Sequence, residues 1–145
     1  TLKCAAISTL MSLAYNCMAF DGRIISVMKA RPGVVYAGEF ACDTKRIIRV
    51  SADCVCDEQE YFGSINPSGR IMLAGEYGEY IKHKFFENCG NVMTVSFAQR
   101  LQKASSLCIA AQDNPRLVCT AQELSVSYLQ PTKAEKDKAH KEENK

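Results

Sequence analysis

The sequence predicts an α+β domain in which an antiparallel β-sheet packs against one or two helices and disulfide bonds stabilise the core. Short β-branched segments alternate with Gly- and Pro-containing turns through the first half of the chain. One later segment instead has apolar residues at helical spacing. The chain of 145 residues also contains eight cysteines, which is typical of small secreted domains that are held together by disulfides.

The predicted strands begin with "VVYAGEF" at residues 34–40 and "RIIRVS" at residues 46–51. The preceding "FDGRIISVMKARPG" fits either a helix or a strand that ends at the Pro32-Gly33 turn signal. Pro67 and Gly69 predict a tight turn that joins "YFGSI" to "RIMLA" as a hairpin. Partial alternation in "EYIKHKFF" predicts another strand at about residues 79–86.

The most clearly predicted helix follows Cys89-Gly90. Ser96 and Gln99 have the spacing of a capping box, and Asp113-Asn114-Pro115 stops the helix. Its apolar face comprises Phe97, Leu101, Ala104, Cys108 and Ala111. A last strand is predicted from "ELSVSYL" at residues 123–129.

The chain divides into three predicted parts. Residues 1–14, "TLKCAAISTLMSLA", combine Lys3, a short apolar run and small residues before Tyr15, as at a signal-peptide cleavage site. A buried amphipathic first helix is the alternative for this stretch. Residues 15–130 are predicted to form a single α+β domain, and residues 131–145 a charged disordered tail without large apolar residues.

The cysteines are spread along the chain without a repeated CxxC pattern, so neither a metal nor another cofactor is expected. Cys54 and Cys56 are expected to bond to different partners, because a bridge between two such close positions on a strand would be strained. Reduced thiols in an intracellular protein are the alternative. The disulfide candidates are Cys4, Cys17, Cys42, Cys54, Cys56, Cys89, Cys108 and Cys119.

Composition argues against several classes of partner. The chain has 18 Lys and Arg against 16 Asp and Glu, so its net charge of +2 gives no dominant field toward nucleic acid or lipid. The apolar run near the start is too short to span a bilayer, and no membrane partner is expected. None of the common motifs for nucleophilic catalysis, nucleotide phosphates or dinucleotides is present.

Two sets of residues are nevertheless candidates for a site. Aromatic side chains interleaved with cations, including Arg46 and Arg49, are compatible with stacking on RNA bases. The RNA-binding or surface candidates are Tyr80, Lys82, His83 and Lys84. Glu76 or Glu79 with His83 is the candidate acid/base group of a ribonuclease.

Two stretches of the sequence resemble the small secreted effectors of powdery mildew fungi. "AYNCMAFDGRIISVMKA" is similar to the mature start of these proteins, with the aromatic-x-Cys motif at Tyr15 and Cys17. "SGRIMLAGEYGEYIKHKFFENC" resembles the closing strands and final Phe-x-x-Cys of their ribonuclease-like members, with Cys89 as the closing cysteine. The resemblance implies a ribonuclease-like fold and a disulfide between Cys17 and Cys89.

The resemblance also implies a function. We expect a secreted, monomeric virulence protein, delivered into host cells, that binds host RNA or a host protein such as a plant immune receptor without catalysis. One alternative is an active secreted ribonuclease that uses a Glu with His83. The other is a cysteine-rich fungal effector of a different fold.

Overall fold

A mixed β-sheet with helices on both faces forms the centre of the protein. The computed structural model describes residues 2–131. The described strands are β1 (Lys3–Ala5), β2 (Asp21–Arg31), β3 (Val34–Asp43), β4 (Ile47–Arg49), β5 (Cys54–Asp57), β6 (Ile71–Ala74), β7 (Val92–Thr94) and β8 (Val118–Thr120). The helices are α1 (Thr9–Tyr15), α2 (Glu58–Gly63), α3 (Gly78–Phe85) and α4 (Ala104–Asp113), with single 3₁₀ turns at Phe97–Gln99 and Pro115–Leu117.

The strand order of the main sheet is β4-β3-β2-β6-β7, and β5 pairs with β3 beside β4. β2 and β3 form a long antiparallel hairpin, whereas β6 is parallel to β2 and β7 is parallel to β6. Strands β1 and β8 pair separately as a small antiparallel sheet. The protein therefore has a hairpin-based half and a parallel half within one sheet.

Side chains of the central strands alternate between two hydrophobic clusters, one on each face of the sheet. In β2, Ile24 belongs to the first cluster, while Ile25 and Val27 belong to the second. In β6, Ala74 and Leu73 divide in the same way. This alternation follows from the two-residue period of a strand, and it requires a cover on both faces because both are apolar.

Helices supply these two covers. The first cluster includes Leu10 and Leu13 of α1 and Ala110 of α4, so we call this side the α1–α4 face. The second cluster includes Phe62 of α2 and Ile81 of α3, and we call this side the α2–α3 face. The result is a three-layer arrangement of helix, sheet and helix.

The α+β class is confirmed, but the purely antiparallel sheet is wrong. Residues 23–26 of β2 and 71–74 of β6 run in the same direction, and the connection between them contains strands and a helix. The predicted hairpin of "YFGSI" with "RIMLA" is therefore wrong, because α2 occupies most of its first arm. The described residues contain four helices rather than one or two, and α4 packs mainly against α1.

The strand predicted at residues 79–86 is wrong as well, since these residues lie in α3. Its sequence alternates only in part, and Tyr77, Ile81 and Phe85 also recur at the four-residue spacing of a helix face. Gly75 turns the chain from β6 into this helix with φ +108°, and a Cβ there would lie 2.3 Å from the carbonyl oxygen of Val27. Only glycine fits this close approach.

The long helix predicted after Cys89 is shorter than expected. Phe97 and Leu101 precede α4 and are 85% and 66% exposed, so they do not join its buried side. Asn16 holds this segment in a non-helical path, because its amide donates to the carbonyl oxygens of Gln99 and Leu101, both at 2.8 Å. The predicted capping box does not form, since Ser96 Oγ instead donates to Gln99 Oε1 at 2.8 Å.

Two terminal predictions are affected by the described range. Residues 123–129, predicted as a strand, contain neither helix nor strand. Apart from Pro131, the predicted tail at residues 131–145 lies outside the described residues. Near the start, α1 packs into the core with Leu13 and Ala14 almost fully buried, while cleavage before Tyr15 stays a prediction. No helix of the described chain has the length and apolar character that crossing a membrane requires.

The predicted disulfides are wrong. All eight cysteines lie within the described residues, and each is a free thiol. The sheet itself separates the pair implied by the effector resemblance, because Cys17 packs on the α1–α4 face and Cys89 on the α2–α3 face. The Sγ atoms of Cys54 and Cys56 are 3.7 Å apart, well beyond the bond length of about 2.05 Å. Packing of two apolar faces, without bridges, holds this fold together.

We predict that Leu13→Ala lowers the free energy of unfolding by about 3 kcal/mol, because it removes a side chain that is 1% exposed between α1 and the sheet. Denaturant unfolding followed by circular dichroism measures the change. Leu101→Ala, at a position that is 66% exposed, is the matched control and should change the value by less than about 0.5 kcal/mol. Equal losses in the two variants would contradict the assignment of α1 to the core.

Candidate functional site

The four RNA-binding candidates lie together on α3, because Tyr80, Lys82, His83 and Lys84 belong to two successive turns of this helix. His83 is exposed. Lys84 instead points to the neighbouring helix α2, where its Nζ lies 2.6 Å from Glu58 Oε1. This ion pair raises the pKa of Lys84 above its ordinary value.

Glu58 is the centre of a buried polar cluster between α2 and α3. It is only 3% exposed, and its carboxylate accepts hydrogen bonds from the hydroxyls of Tyr80 at 3.1 Å and Tyr77 at 3.4 Å in addition to that from Lys84. The two tyrosine rings stack with centroids 4.5 Å apart. Two of the four surface candidates, Tyr80 and Lys84, thus hold helices together.

The candidate acid/base residues of a ribonuclease do not form a cluster with one another. Glu79 is bound to Arg100 in an ion pair. Glu76 is exposed in the turn before α3, and no described hydrogen bond or ion pair joins it or Glu79 to His83. A general acid and base must converge on one substrate atom, and this geometry gives no support to such a pair.

The thiols near the core are poor nucleophiles. Burial, with a further contribution from Cys42, raises the pKa of Cys17 to about 12. Burial and the neighbouring Cys54 thiol likewise raise the pKa of Cys56 to about 12, and the charges of Asp57 and Glu60 add to this rise. Such thiols stay protonated near neutral pH and do not supply the thiolate that nucleophilic catalysis requires.

A groove on the α1–α4 face is a candidate binding site. Its volume is about 490 Å³, which lies within the range of small-molecule sites. Three separate segments form it: the end of α1, the turn and strand at β4, and the chain after α4. The lining residues are Met11, Tyr15, Lys45, Arg46, Ile47, Ile48, Arg49, Asp113, Asn114, Pro115 and Arg116.

The turn between β3 and β4 brings two of the cations to the groove. Asp43 Oδ1 accepts hydrogen bonds from the backbone N–H groups of Lys45 at 3.0 Å and Arg46 at 2.8 Å. Thr44 between them has φ +68°, in the left-handed region that non-glycine residues rarely adopt. Backbone strain of this kind is often found at functional sites.

The cations of the groove differ in their existing partners. Arg49 is bound to Asp53 and donates to Ser8 Oγ at 3.1 Å, so it has a structural role. Arg46 makes only a loose ion pair with Asp43 at 3.7 Å, and its side chain is 73% exposed. Within the part of the chain that the structure describes, the side chains of Lys45 and Arg116 have no hydrogen bond or ion pair. Three cations are therefore available to a ligand.

The base of the groove is rigid. Asn114 Nδ2 donates to Tyr15 Oη at 3.0 Å and to the carbonyl oxygen of Ala110 at 2.8 Å, which joins the end of α4 to α1. Burial raises the pKa of Tyr15, so its hydroxyl keeps its proton near neutral pH. The sequence pointed to Arg46 and Arg49, but nothing in it linked them to Asp113–Arg116, which is remote along the chain.

The structure is thus a three-layer protein with a mixed sheet and an open groove, lined by cations, at one sheet edge. Solved structures share this fold. One, described as an uncharacterized protein with similarity to peptidase YEAZ from Pseudomonas aeruginosa, has a TM-score of 0.67 and 17% identity over 86% of this chain and 58% of its own. Another, YeaZ from Pseudomonas aeruginosa, has a TM-score of 0.63 and 18% identity over 85% of this chain and 57% of its own.

These similarities concern the fold, and the chain spans less than two thirds of either structure. No protein-family model matches the sequence, and neither does any curated protein. The resemblance to powdery mildew effectors is wrong, because the shared architecture is that of the bacterial YeaZ structures. The disulfide-bonded virulence-effector function depended on that resemblance and is wrong with it. Secretion itself and ribonuclease activity stay predictions.

We predict that Glu58→Ala lowers the free energy of unfolding by about 1–3 kcal/mol, because it leaves the hydroxyls of Tyr77 and Tyr80 without their buried acceptor. Denaturant unfolding at pH 7 measures the effect. Glu60→Ala, an exposed position on the same helix, is the matched control and should have little effect. If both variants unfold alike, the cluster does not hold α2 to α3.

A second prediction concerns pH. Backbone N–H groups of Arg46 and Lys45 lower the pKa of Asp43 in the folded protein. A carboxyl with a lowered pKa stabilises the fold above its unfolded pKa, about 3.9, and loses this contribution as pH falls through the folded value. Asp43→Asn should therefore be less stable than the parent at pH 7, and the difference should shrink below about pH 3.9.

Denaturant midpoints of the parent and the Asp43→Asn protein between pH 3 and pH 7 provide this measurement. Glu87→Gln, at an exposed position on the far face, is the control for removal of one negative charge. A stability difference for Asp43→Asn that stays constant over the whole range would refute a role for the charged carboxylate in the turn.

Proposed function

We propose that this chain is a ligand-binding module that acts without catalysis, and that its ligand is a phosphate-bearing small molecule of nucleotide size. The observation that carries the proposal is the groove of about 490 Å³ in which cations with few partners surround an apolar base. Small-molecule sites typically combine an apolar lining with a few polar groups that fix the orientation of the ligand.

The cations favour a phosphate group. Arg46 and Arg116 line the groove from two different elements, and Lys45 adds a third positive charge. A guanidinium has a planar set of donors that matches two phosphate oxygens at once, and its bonds to an anion are stronger than neutral ones. An anionic group between these side chains would also reduce the repulsion among them.

The remaining lining favours a ligand larger than phosphate. Met11, Ile47 and Pro115 present apolar surface, and the carboxylate of Asp113 is an acceptor for an amino or hydroxyl group. An isolated phosphate would contact only the cationic part. A nucleotide has an anionic end, hydroxyl groups and a flat ring system, so it uses both parts of the groove.

The chemical character of the groove supports binding rather than turnover. Arg and Lys side chains keep their protons at neutral pH, and the raised pKa of Tyr15 keeps that hydroxyl protonated. One of the similar structures is described by its similarity to a peptidase. We do not extend that activity to this chain, because 17% identity over 58% of that structure shows a shared fold alone.

We predict that the purified full chain binds ATP more tightly than adenosine or inorganic pyrophosphate, because only ATP contacts both parts of the groove. Isothermal titration calorimetry at a fixed salt concentration measures all three. Arg46→Glu and Arg116→Glu should each weaken ATP binding by about tenfold or more, since each loses a charge-assisted hydrogen bond and gains a repulsive charge.

Lys82→Glu is the control, because it makes the same kind of charge reversal on α3, on the other face of the sheet. It should leave ATP binding unchanged. Equal weakening by all three substitutions would mean that only the overall charge matters. Absence of ATP binding, or tighter binding of a single-stranded RNA that Arg46→Glu does not affect, would refute the proposal.

A further inference from the structure

We propose that Cys54 and Cys56 form a two-thiolate binding site for a thiophilic divalent cation of the zinc class. The site is distinct from the groove, because both cysteines lie on β5 and pack against the α2–α3 face of the sheet. The spacing of the cysteines disfavours a structural zinc site with four protein ligands. It does not exclude an open site with two.

The distance between the sulfurs fits this role. Residues two apart on a strand point to the same side, and the Sγ atoms of Cys54 and Cys56 are 3.7 Å apart. In a tetrahedral zinc site with Zn–S bonds of about 2.3 Å, two sulfurs are separated by about 3.8 Å. A cation therefore bridges the two thiols at their present positions, with no rearrangement of β5.

The same geometry makes a disulfide between them unfavourable. Bond formation would bring the two sulfurs to about 2.05 Å. In an extended strand the Cα atoms of residues two apart are near the largest separation that a disulfide allows, so the bond would strain β5. Register with β3 opposes such a distortion, because Cys54 lies opposite Ala37 and Cys56 opposite Val35. The pair is thus held apart as a dithiol.

The surroundings permit access and favour positive charge. Both thiols are only partly buried, and among the described strands β5 pairs with β3 alone. Burial raises the pKa of Cys56 most, so the free thiol keeps its proton until a cation displaces it, and the carboxylates of Asp57 and Glu60 add to this rise. A negative environment of this kind attracts a cation and stabilises it once bound.

The site offers two protein ligands. Within residues 2–131 no third His, Cys, Asp or Glu is positioned to complete a metal-binding group with this pair. A four-coordinate ion would therefore keep two positions for water or for donors from another molecule, one more than an open zinc site with three protein ligands keeps. On binding, each thiol loses its proton and forms one sulfur–metal bond, so two protons pass to the solvent per ion and no electron is transferred.

A second pair of cysteines provides a matched control. Cys4 lies directly opposite Cys119 in the β1–β8 pair, so the strand register places these two thiols side by side, away from β5. Serine at both of these positions removes as many thiols as serine at Cys54 and Cys56. The two double variants therefore differ only in which pair is lost.

The experiment titrates the reduced full chain with Cd²⁺, a probe for zinc-type thiolate sites that absorbs in the ultraviolet through sulfur-to-metal charge transfer. We expect one equivalent of Cd²⁺ per chain, release of two protons per ion, and displacement by excess Zn²⁺. Binding should be lost in the Cys54→Ser/Cys56→Ser protein and retained in the Cys4→Ser/Cys119→Ser protein.

Alkylation of the unmodified protein provides a test that does not depend on the stability of a variant. Mass spectrometry after iodoacetamide treatment, with and without Cd²⁺, reports on each cysteine separately. The ion should protect Cys54, and the exposed Cys108 should react equally in both samples. Cys56 should react slowly in both, because burial keeps its thiol protonated. Binding that survives in the Cys54→Ser/Cys56→Ser protein, or protection of Cys4 and Cys119 in place of this pair, would overturn the proposal.

Discussion

Burial of the β2–β3 hairpin on both of its faces is the constraint on which the rest of the structure depends. Its residues alternate between two clusters, so that Phe40 packs on the α1–α4 face and Val35 on the α2–α3 face. Each face exposes apolar surface that must be covered, and burial of such surface contributes about 25 cal/mol per Å². The helices, the two added parallel strands and the order of the layers all follow from this requirement.

The groove is a consequence of how α1 meets its neighbours on one of these faces. α1 supplies the base, with Tyr15 joined to Asn114. The turn held by Asp43 forms one wall, and the chain that follows α4 forms the other. All three parts are fixed by contacts independent of any ligand. A site that is preformed in this way loses little conformational entropy when it is filled.

Strands β3 and β4 were predictable from the sequence, because each contains a short run of β-branched residues that is bounded by turn signals. The helices α2 and α3 were not, since each is only about two turns long and its apolar residues also fit partial alternation. Phe97 instead was predicted to lie in the long helix, but α4 begins only at Ala104. Its helical spacing to Leu101 is real, but hydrogen bonds from Asn16, some 80 residues earlier in the chain, override that local preference.

The disulfide prediction failed for a related reason. A high number of cysteines signals bridges only where the fold brings sulfurs together on one side of the sheet. Here Cys17 and Cys89 pack on opposite sides of the sheet. The groove could not be predicted either, because its walls come from segments that no local pattern connects. Charge at Arg46 was visible in the sequence, whereas its proximity to Arg116 is a property of the fold.

The parallel pairing of β2 with β6 affects how this protein reaches its native state. The hairpin of β2 and β3 joins residues that are close in the chain, whereas Arg23 meets Ile71 only after a loop of nearly 50 residues has closed. Local contacts form faster than distant ones, so the hairpin should precede β6 during folding. Until β6 pairs with β2, the backbone N–H and C=O groups along that edge of β2 are free to pair with another chain. Folding at low protein concentration therefore favours the native structure over aggregates.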